Sequence, residues 1–335
     1  GDAFELTEKN GSLTVLGGEK GVLYGVYELL ERFAGVSWVA AGQEVVPRCE
    51  RIAVPSGFSF SDKPAIEVRD TAWATVAYNP EFAARMRLNG AYSVAKGKFG
   101  EREGLFDWQL RRCHTMAWLV PDSLFETHPE YFALANGKRQ KSYGQVCITN
   151  PGLRRHIREK VVRHIREVRA KNPRARYFGI SYNDGYEGIC QCEECLKDAE
   201  RHGSRMGSLL TLINEIADEI APEFPDVYLQ TLSYLFTREP PKDVKPRKNV
   251  MICFCTANCE FSKPLTESRC RENAQFVNDI RVWRKMTDRL EVWDYGANFA
   301  WPLHVHPNVR TLAANIRFFA ENGVADLFEE GCPRI

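Results

Sequence analysis

Residues 150–184 read NPGLRRHIREKVVRHIREVRAKNPRARYFGISYND, and this stretch decides the fold class. Asn150 before Pro151 is a helix start, because the amide can cap free backbone N–H groups and proline fits the first helical position. Leu153, Ile157, Val161, Ile165 and Val168 then recur at helical spacing along one face. Tyr177–Tyr182 follows as a short apolar strand, and the chain turns polar at Asn183-Asp184. Helix, strand and polar strand end together make an α/β unit.

The same alternation extends outward. Strands are expected at Ile66–Thr71, Ala91–Ala95, Cys113–Trp118, Tyr177–Tyr182, Val227–Ser233, Val250–Cys255, Leu290–Trp293 and Val324–Phe328. One helix runs from Ser208 with Leu209, Ile213, Ile216 and Ile220 inward. Another starts at Pro307 with Val309, Leu312, Ile316 and Phe319 inward. Eight strands alternating with helices over about 270 residues predict a (β/α)8 TIM-type barrel, whose usual size is about 250 residues. Only Pro- and Lys-rich sequence joins the fifth and sixth strands and no helix follows the eighth, so a doubly wound open sheet is the second choice.

Ahead of the barrel lies a small α/β piece. Phe4–Thr7 and Ser12–Leu16 alternate around Lys9-Asn10-Gly11, a hairpin signal. Val22, Val26, Leu29, Leu30 and Phe33 predict a helix ended by Gly35. Val54-Pro55-Ser56-Gly57 and Lys63-Pro64 mark the linker. The expected division is 1–60 for this piece, which is too small to close its own core and is expected to be incomplete, and 61–335 for the barrel, truncated after its eighth strand.

The chain of 335 residues carries 45 Lys+Arg against 44 Asp+Glu, which gives no long-range field to gather nucleic acid or an anionic membrane. No apolar run approaches the ~20 residues of a membrane span, and Gly1-Asp2-Ala3-Phe4 does not read as a signal peptide. There is no Gly-x-Ser-x-Gly elbow, no His-Glu-x-x-His, and only a loose glycine loop at Gly17–Gly21 without the Lys-Ser/Thr ending of a phosphate site.

In a barrel, chemistry sits at the C-terminal strand ends. That rule selects His114, Tyr182-Asn183-Asp184, Tyr234, Trp293-Asp294-Tyr295 and Glu329. Carboxylates among aromatics suit sugar hydrolysis: one acid protonates the leaving oxygen, and a second group stabilises the cationic ring. Each acid could equally cap the following helix. Asn183 beside Asp184 suits a substrate whose own acetamide is the nucleophile, although this dipeptide is also a common turn.

The eleven cysteines are an odd number for an oxidised framework. Cys190, Cys192 and Cys195 could hold a structural zinc with His202 as fourth ligand, form a disulfide, or stay free thiols. Cys259 and Cys270 could close a loop as a disulfide. His304 and His306 could chelate a metal, or simply be polar surface. Catalysis of the kind proposed needs no cofactor.

An ordered string of motifs carries a family resemblance. Cys113-His114-Thr115 with Trp118–Pro121, His128–Leu134, Asn136-Gly137-Lys138, Cys147–Pro151, Ser181–Asp184, the Cys-x-Cys-x-x-Cys, Trp293–Tyr295, Asn315–Phe319 and Phe328–Gly331 resemble the bacterial family named domain of unknown function 4838, over roughly residues 60 to 332. That family is similar to glycoside hydrolase family 163, endo-β-N-acetylglucosaminidases of complex N-glycans. Gly21–Leu30 resembles the small domain preceding barrels in β-hexosaminidases and α-glucuronidases.

The resemblance implies a secreted bacterial enzyme, periplasmic, cell-surface or extracellular, acting on an oligosaccharide or glycoprotein glycan. Where β-hexosaminidases carry Asp-Glu, this chain has Asn183-Asp184. The combined expectation is a retaining β-N-acetylglucosaminide hydrolase. Asp184 is its general acid, buried among aromatics and carboxylates so that its pKa rises; Asn183 holds the acetamide; Glu329 is the alternative acid or second carboxylate. Arg69, His114, Tyr182, Tyr234, Trp293, Asp294 and Tyr295 bind sugar. An α-glucuronidase-like enzyme and a non-catalytic glycan-binding barrel are the rivals.

Overall fold

Parallel strands separated by helices organise the chain. The computed structural model describes residues 1–18, 20–90, 105–107, 109–111, 113–141, 144–185, 187–299, 301 and 304–331. The chain divides into two units, Gly1–Glu103 with Asp294–His306 and Ala325–Ile335, and Gly104–Trp293 with Pro307–Val324.

The elements in chain order are β1 Phe4–Lys9, β2 Ser12–Gly17, α1 Gly21–Ala34, β3 Ser37–Ala40, β4 Gln43–Val45, β5 Ser59–Asp62, β6 Val68–Thr71, α2 Ala74–Ala77, α3 Pro80–Arg85, α4 Met116–Leu119, β7 Leu134–Ala135 and β8 Lys138–Arg139. Then come α5 Pro151–Lys171, β9 Tyr177–Gly179, α6 Glu193–His202, α7 Met206–Ile220, β10 Tyr228–Ser233, β11 Val250–Cys255, α8 Arg271–Arg284, β12 Leu290–Tyr295, α9 Leu312–Glu321 and β13 Val324–Glu330.

In the first unit, β1 pairs antiparallel with β2 and β5. The β1–β2 turn has Asn10 at φ 53° and Gly11 at φ 79°, the left-handed pair a two-residue hairpin demands. Helix α1 ends at Gly35 in the left-handed conformation, as expected. Its buried face differs from the expected one: Tyr24 and Tyr27 are buried, and Val22 and Val26 are exposed. Tyr24 and Tyr27 pack with Phe4, Leu6 and Trp38, so the aromatic positions rather than the valines set the helix's rotation. Strand β6 pairs in parallel with β13, matching Arg69 to Leu327 and Thr71 to Glu329.

In the second unit, β9, β10, β11 and β12 pair in parallel in that order. Helix α5 forms as its sequence dictates: Asn150 Oδ1 accepts from Leu153 N at 3.0 Å, and Leu153, Ile157, Val161 and Ile165 are fully buried. Each such side chain contributes about 1.5–3 kcal/mol by leaving water. On α7, Leu209, Ile213, Ile216 and Ile220 are buried as their spacing predicts. Phe254 of β11 meets Phe276 and Trp283 of α8 edge-on, fixing that helix against the strands.

The fold is therefore α/β with six parallel strands among the described residues. Two expected strands are absent from that set. Ala91–Ala95 lies outside the described residues. Cys113–Trp118 is a turn followed by α4, because His114 takes φ 54°, which no extended strand permits. Helix α9 begins at Leu312 rather than Pro307. Thr311 Oγ1 and Asn308 tie that approach into a turn, and Val309 and Ile316 end up exposed while Asn315, Phe318 and Phe319 are buried. No helix of the described residues is long and apolar enough to cross a membrane.

Candidate functional site

In the first unit, the ends of β6, β12 and β13 bring two acids together. Glu329 lies near the end of β13, and its carbonyl accepts from Ala72 N at 3.1 Å and Thr71 Oγ1 at 2.9 Å. The residue keeps some accessible surface, but its Oε1 is sealed from solvent and has no hydrogen-bond partner among the described residues. Burial, reinforced by the charge of Asp294, holds the Glu329 carboxyl well above its usual range. Asp294 is 3% exposed, and its Oδ1 accepts from Tyr295 N at 3.0 Å.

The surroundings of this pair are aromatic and close-fitting. Gly296 N donates to Glu330 O at 2.8 Å, tying the end of β12 to that of β13. A Cβ on Gly331 would lie 2.4 Å from the Trp73 ring, and one on Gly296 would lie 3.1 Å from its Nε1. Glycine is needed at both places because the half-buried indole rests against these backbones. Tyr295 meets Phe299 edge-on at 5.9 Å. His306 is held below its usual pKa by burial, opposed by a hydrogen bond with the Tyr295 backbone. Sequence reasoning missed Trp73 and His306 as neighbours of the acids. For Trp73 the signal was available, since it stands two residues past β6, at the same kind of strand end that selected the others.

In the second unit, a different group forms. His114 Nδ1 lies 3.1 Å from the Tyr182 carbonyl, and its ring is 6.3 Å from that of Tyr234. Asn183 is bound on every side. Its Oδ1 accepts from Ala117 N at 2.9 Å and its Nδ2 donates to Gly144 O at 2.9 Å. Gln145 completes the enclosure: its Oε1 accepts from Asn183 N at 3.1 Å and its Nε2 donates to Asn183 O at 2.9 Å.

Four expected site residues meet different geometry. The Asn183 amide is engaged by backbone rather than free to hold an acetamide. Asp184 is exposed rather than buried, and its Oδ1 accepts from the next backbone N–H, Gly185, at 2.9 Å. Arg69 is locked within the first unit: it pairs with Asp2 at 2.6 Å and donates to the carbonyls of Ile66, Glu67 and Arg87. Tyr182 turns to the cysteine side, against Phe236 and into a cavity of about 20 Å³, room for one water, lined also by Cys190, Cys195 and Arg205. Burial pushes its phenol pKa up. Trp293 is half-buried at the same strand end as Asp294.

The cysteine cluster has a membership the spacing did not give. Cys147, Cys190, Cys192 and Cys195 place their sulfurs within 4.8 Å of one another, and this set could hold a metal ion. Cys147 Sγ is 3.6 Å from Cys192 Sγ and 3.8 Å from Cys195 Sγ. For four thiolates about 2.3 Å from a tetrahedral ion, the edge of the tetrahedron is about 3.8 Å, so the separations of Cys147 from Cys192 and Cys195 already match it. The thiols oppose one another: hydrogen bonds from Cys147 and Cys195 pull Cys190 down, while the bond to Cys190 pushes Cys147 up to about 11. A bound cation would remove that conflict by taking all four as thiolates.

Donors surround the sulfurs as an outer layer. Leu134 N donates to Cys190 Sγ at 3.4 Å, Thr149 Oγ1 lies 3.1 Å from Cys195 Sγ, and Arg139 hydrogen-bonds Cys147. Arg205 donates to the carbonyls of Cys190 and Cys195. Cys192 stands at the N-terminal cap of α6.

His202 is not the fourth ligand. It sits at the far end of α6, fully buried, with Nδ1 2.5 Å from Asp243 and Nε2 3.5 Å from Asp198. Cys259 and Cys270 are not joined in a disulfide, and Cys190, Cys192 and Cys195 form none either. Cys270 hydrogen-bonds Glu272 instead. His304 stacks on Trp301 at 5.6 Å, and among the described residues neither it nor His306 belongs to a group of three or more metal-binding side chains.

An α/β scaffold of parallel strands, with a buried acid pair in one unit and a four-sulfur cluster in the other, is the class these features define. Residues 38–334 match the family model described as Domain of unknown function (DUF4838), and the chain belongs to that family. No curated protein matches the sequence.

Proposed function

We propose that this chain is a glycoside hydrolase in which Glu329 and Asp294 carry the reaction, on a scaffold that is a (β/α)8 barrel. One observation carries the reading: Glu329 keeps a sealed carboxyl oxygen with no partner among the described residues, beside a second buried acid. Folding that acid into such a place lowers stability, and a proton donor gains from it, because its pKa moves toward neutrality.

In this mechanism Glu329 gives its proton to the glycosidic oxygen as the bond from that oxygen to the anomeric carbon breaks. The Asp294 carboxylate stabilises the oxocarbenium-like centre and bonds to it in the retaining form. Water then releases the sugar, and Glu329 takes the water's proton. Trp73 and Tyr295 offer aromatic faces for the ring's C–H groups. Asn183, its amide already engaged, serves the fold instead of an acetamide, which favours the protein carboxylate as the second group.

The resemblance to glycoside hydrolase family 163 narrows the substrate to β-linked N-acetylglucosaminides in complex glycans, and export of the enzyme belongs to the same proposal. An α-glucuronidase-like activity loses its one candidate cation, since Arg69 is already bound to Asp2 and to carbonyls. The metal best suited to four cysteines is zinc, in a closed site with no position left for water and so no part in the chemistry.

The test is incubation with a complex N-glycoprotein and, separately, a panel of aryl glycosides, with products read by mass spectrometry. Release of an oligosaccharide ending in N-acetylglucosamine is the expected result. Turnover of a different aryl sugar would keep the class and replace the substrate. Oligosaccharide binding with no turnover at high enzyme concentration would sink the enzyme reading in favour of a binding protein.

A further inference from the structure

We propose that the metal held by Cys147, Cys190, Cys192 and Cys195 is the clasp that fixes the segment Ser181–Gly185, and with it His114 and Asp184. This rests on the zinc reading of the cluster above. Two stretches of chain meet side by side here, 144–147 on one side and 183–185 with 187–190 on the other. Gln145, 1% exposed, holds the Asn183 backbone from both sides, and its own N–H donates to Gly188 O at 3.2 Å. Asn183 returns a bond to Gly144 O. Both stretches then run directly into the cluster: Cys147 follows Gln145 by two residues, and Cys190 follows Gly188 by two.

The contact between the stretches leaves no slack. Gly188 takes φ 70°, and a Cβ there would lie 2.9 Å from Gly144 Cα and 3.3 Å from Gln145 N. Backbone against backbone at this distance needs both stretches fixed lengthwise. Three of the four sulfurs belong to the 190–195 stretch, so only Cys147 lets the ion join the two. From Asn183 the fixation spreads to the third stretch. Its Oδ1 holds Ala117 N, Met116 N donates to Ser181 O at 3.1 Å, Thr115 Oγ1 accepts from Ser181 N at 3.0 Å, and His114 lies against the Tyr182 carbonyl. His114 sits at φ 54°, a strained conformation that persists only while its surroundings hold it. Gln145 and Asn183 are thus positioning residues, and the ion closes the ring they form.

The experiment uses the full chain, purified with zinc present. Metal content is measured, then hydrogen exchange of peptides covering 181–189 and, as a control, α7, before and after removal of zinc with a chelator. The expected result is about one zinc per chain. Its removal accelerates exchange in 181–189 by tenfold or more while α7 stays protected, and re-added zinc restores protection. Cobalt in its place should give the thiolate–cobalt absorption of a four-sulfur site. Gln145→Leu should keep the zinc yet raise exchange in 181–189, an effect that separates positioning from metal binding without the folding cost of removing a cysteine. A protein that binds zinc but shows no change in 181–189 on its removal would overturn the clasp. A protein that binds no zinc would overturn the metal reading itself. Neither result touches the Glu329 mechanism, which is read by hydrolysis.

Discussion

The two acid-bearing strand ends differ in how they treat their polar groups. At Asn183-Asp184, each side-chain group of Asn183 has a backbone partner, and Asp184 is open to water. At Asp294 and Glu329, two carboxyls are buried within reach of each other's charge, and one oxygen is left unmatched. The first arrangement is what a fold does to stabilise itself. The second costs stability and is the kind of expense that active sites retain. Polar residues at strand ends are therefore sorted by what partners they are given, rather than by residue type.

The sharpest way to break that comparison is a matched pair of substitutions. Glu329→Gln should lower kcat/KM on a natural glycan by about 10²–10⁴, the usual worth of a general acid. It should lose far less on an aryl glycoside with an activated leaving group that needs no proton. Asp184→Asn should stay within a few-fold of wild type on both. A reversed pattern would return the acid role to Asp184.

Asn183→Ala probes the opposite side. It removes two side-chain hydrogen bonds and leaves Gly144 O and Ala117 N without those partners, for a cost of about 1–3 kcal/mol. Denaturant unfolding should record that loss. No loss of stability with a large loss of activity would instead mark Asn183 as a substrate contact.

Two smaller effects follow from the raised pKa of Glu329. The acid must be protonated to act, so activity falls as pH rises through that pKa. Asp294→Asn removes the negative charge that helps raise it, and the basic limb of kcat/KM against pH should move to lower pH. The reading needs a substrate whose leaving group requires that proton, the natural glycan or an unactivated aryl glycoside, and enough variant enzyme to follow its residual turnover.

Stability has its own sign. With the folded pKa above the unfolded one, the folded state binds the extra proton. The resulting stability is fully present below about 4.5 and is lost as pH rises to the folded pKa. Glu329→Gln escapes that loss. The variant should gain on wild type as pH rises above about 4.5, with the advantage gone in acid. Equal pH dependence of the two proteins would contradict it.

Much of the scaffold was legible because its signals are local. The Asn150-Pro151 cap, the α5 face and the Asn10-Gly11 turn act over a few residues, and they form as read. The turn at His114 was not legible as such: Cys113–Trp118 has strand-like residues, and only the hydrogen bonds of Ser181 and Asn183 to Thr115, Met116 and Ala117 pull it out of a strand. The same limit applies to the site. Position at a strand end picked out Asp294 and Glu329, but burial is a property of packing, and it is why the proposal gives the acid role to Glu329 rather than Asp184. Cys147 lies 43 residues before Cys190, so spacing could find the three near cysteines and never the fourth.

The most direct test of the central claim is a carbon-13 NMR titration of protein labelled at glutamate carboxyls, with Glu329→Gln used to assign the missing resonance. The account predicts one carboxyl that stays protonated well above pH 4.5, absent from the variant and shifted to lower pH in Asp294→Asn. A Glu329 resonance that titrates at or below the ordinary glutamate range would contradict it.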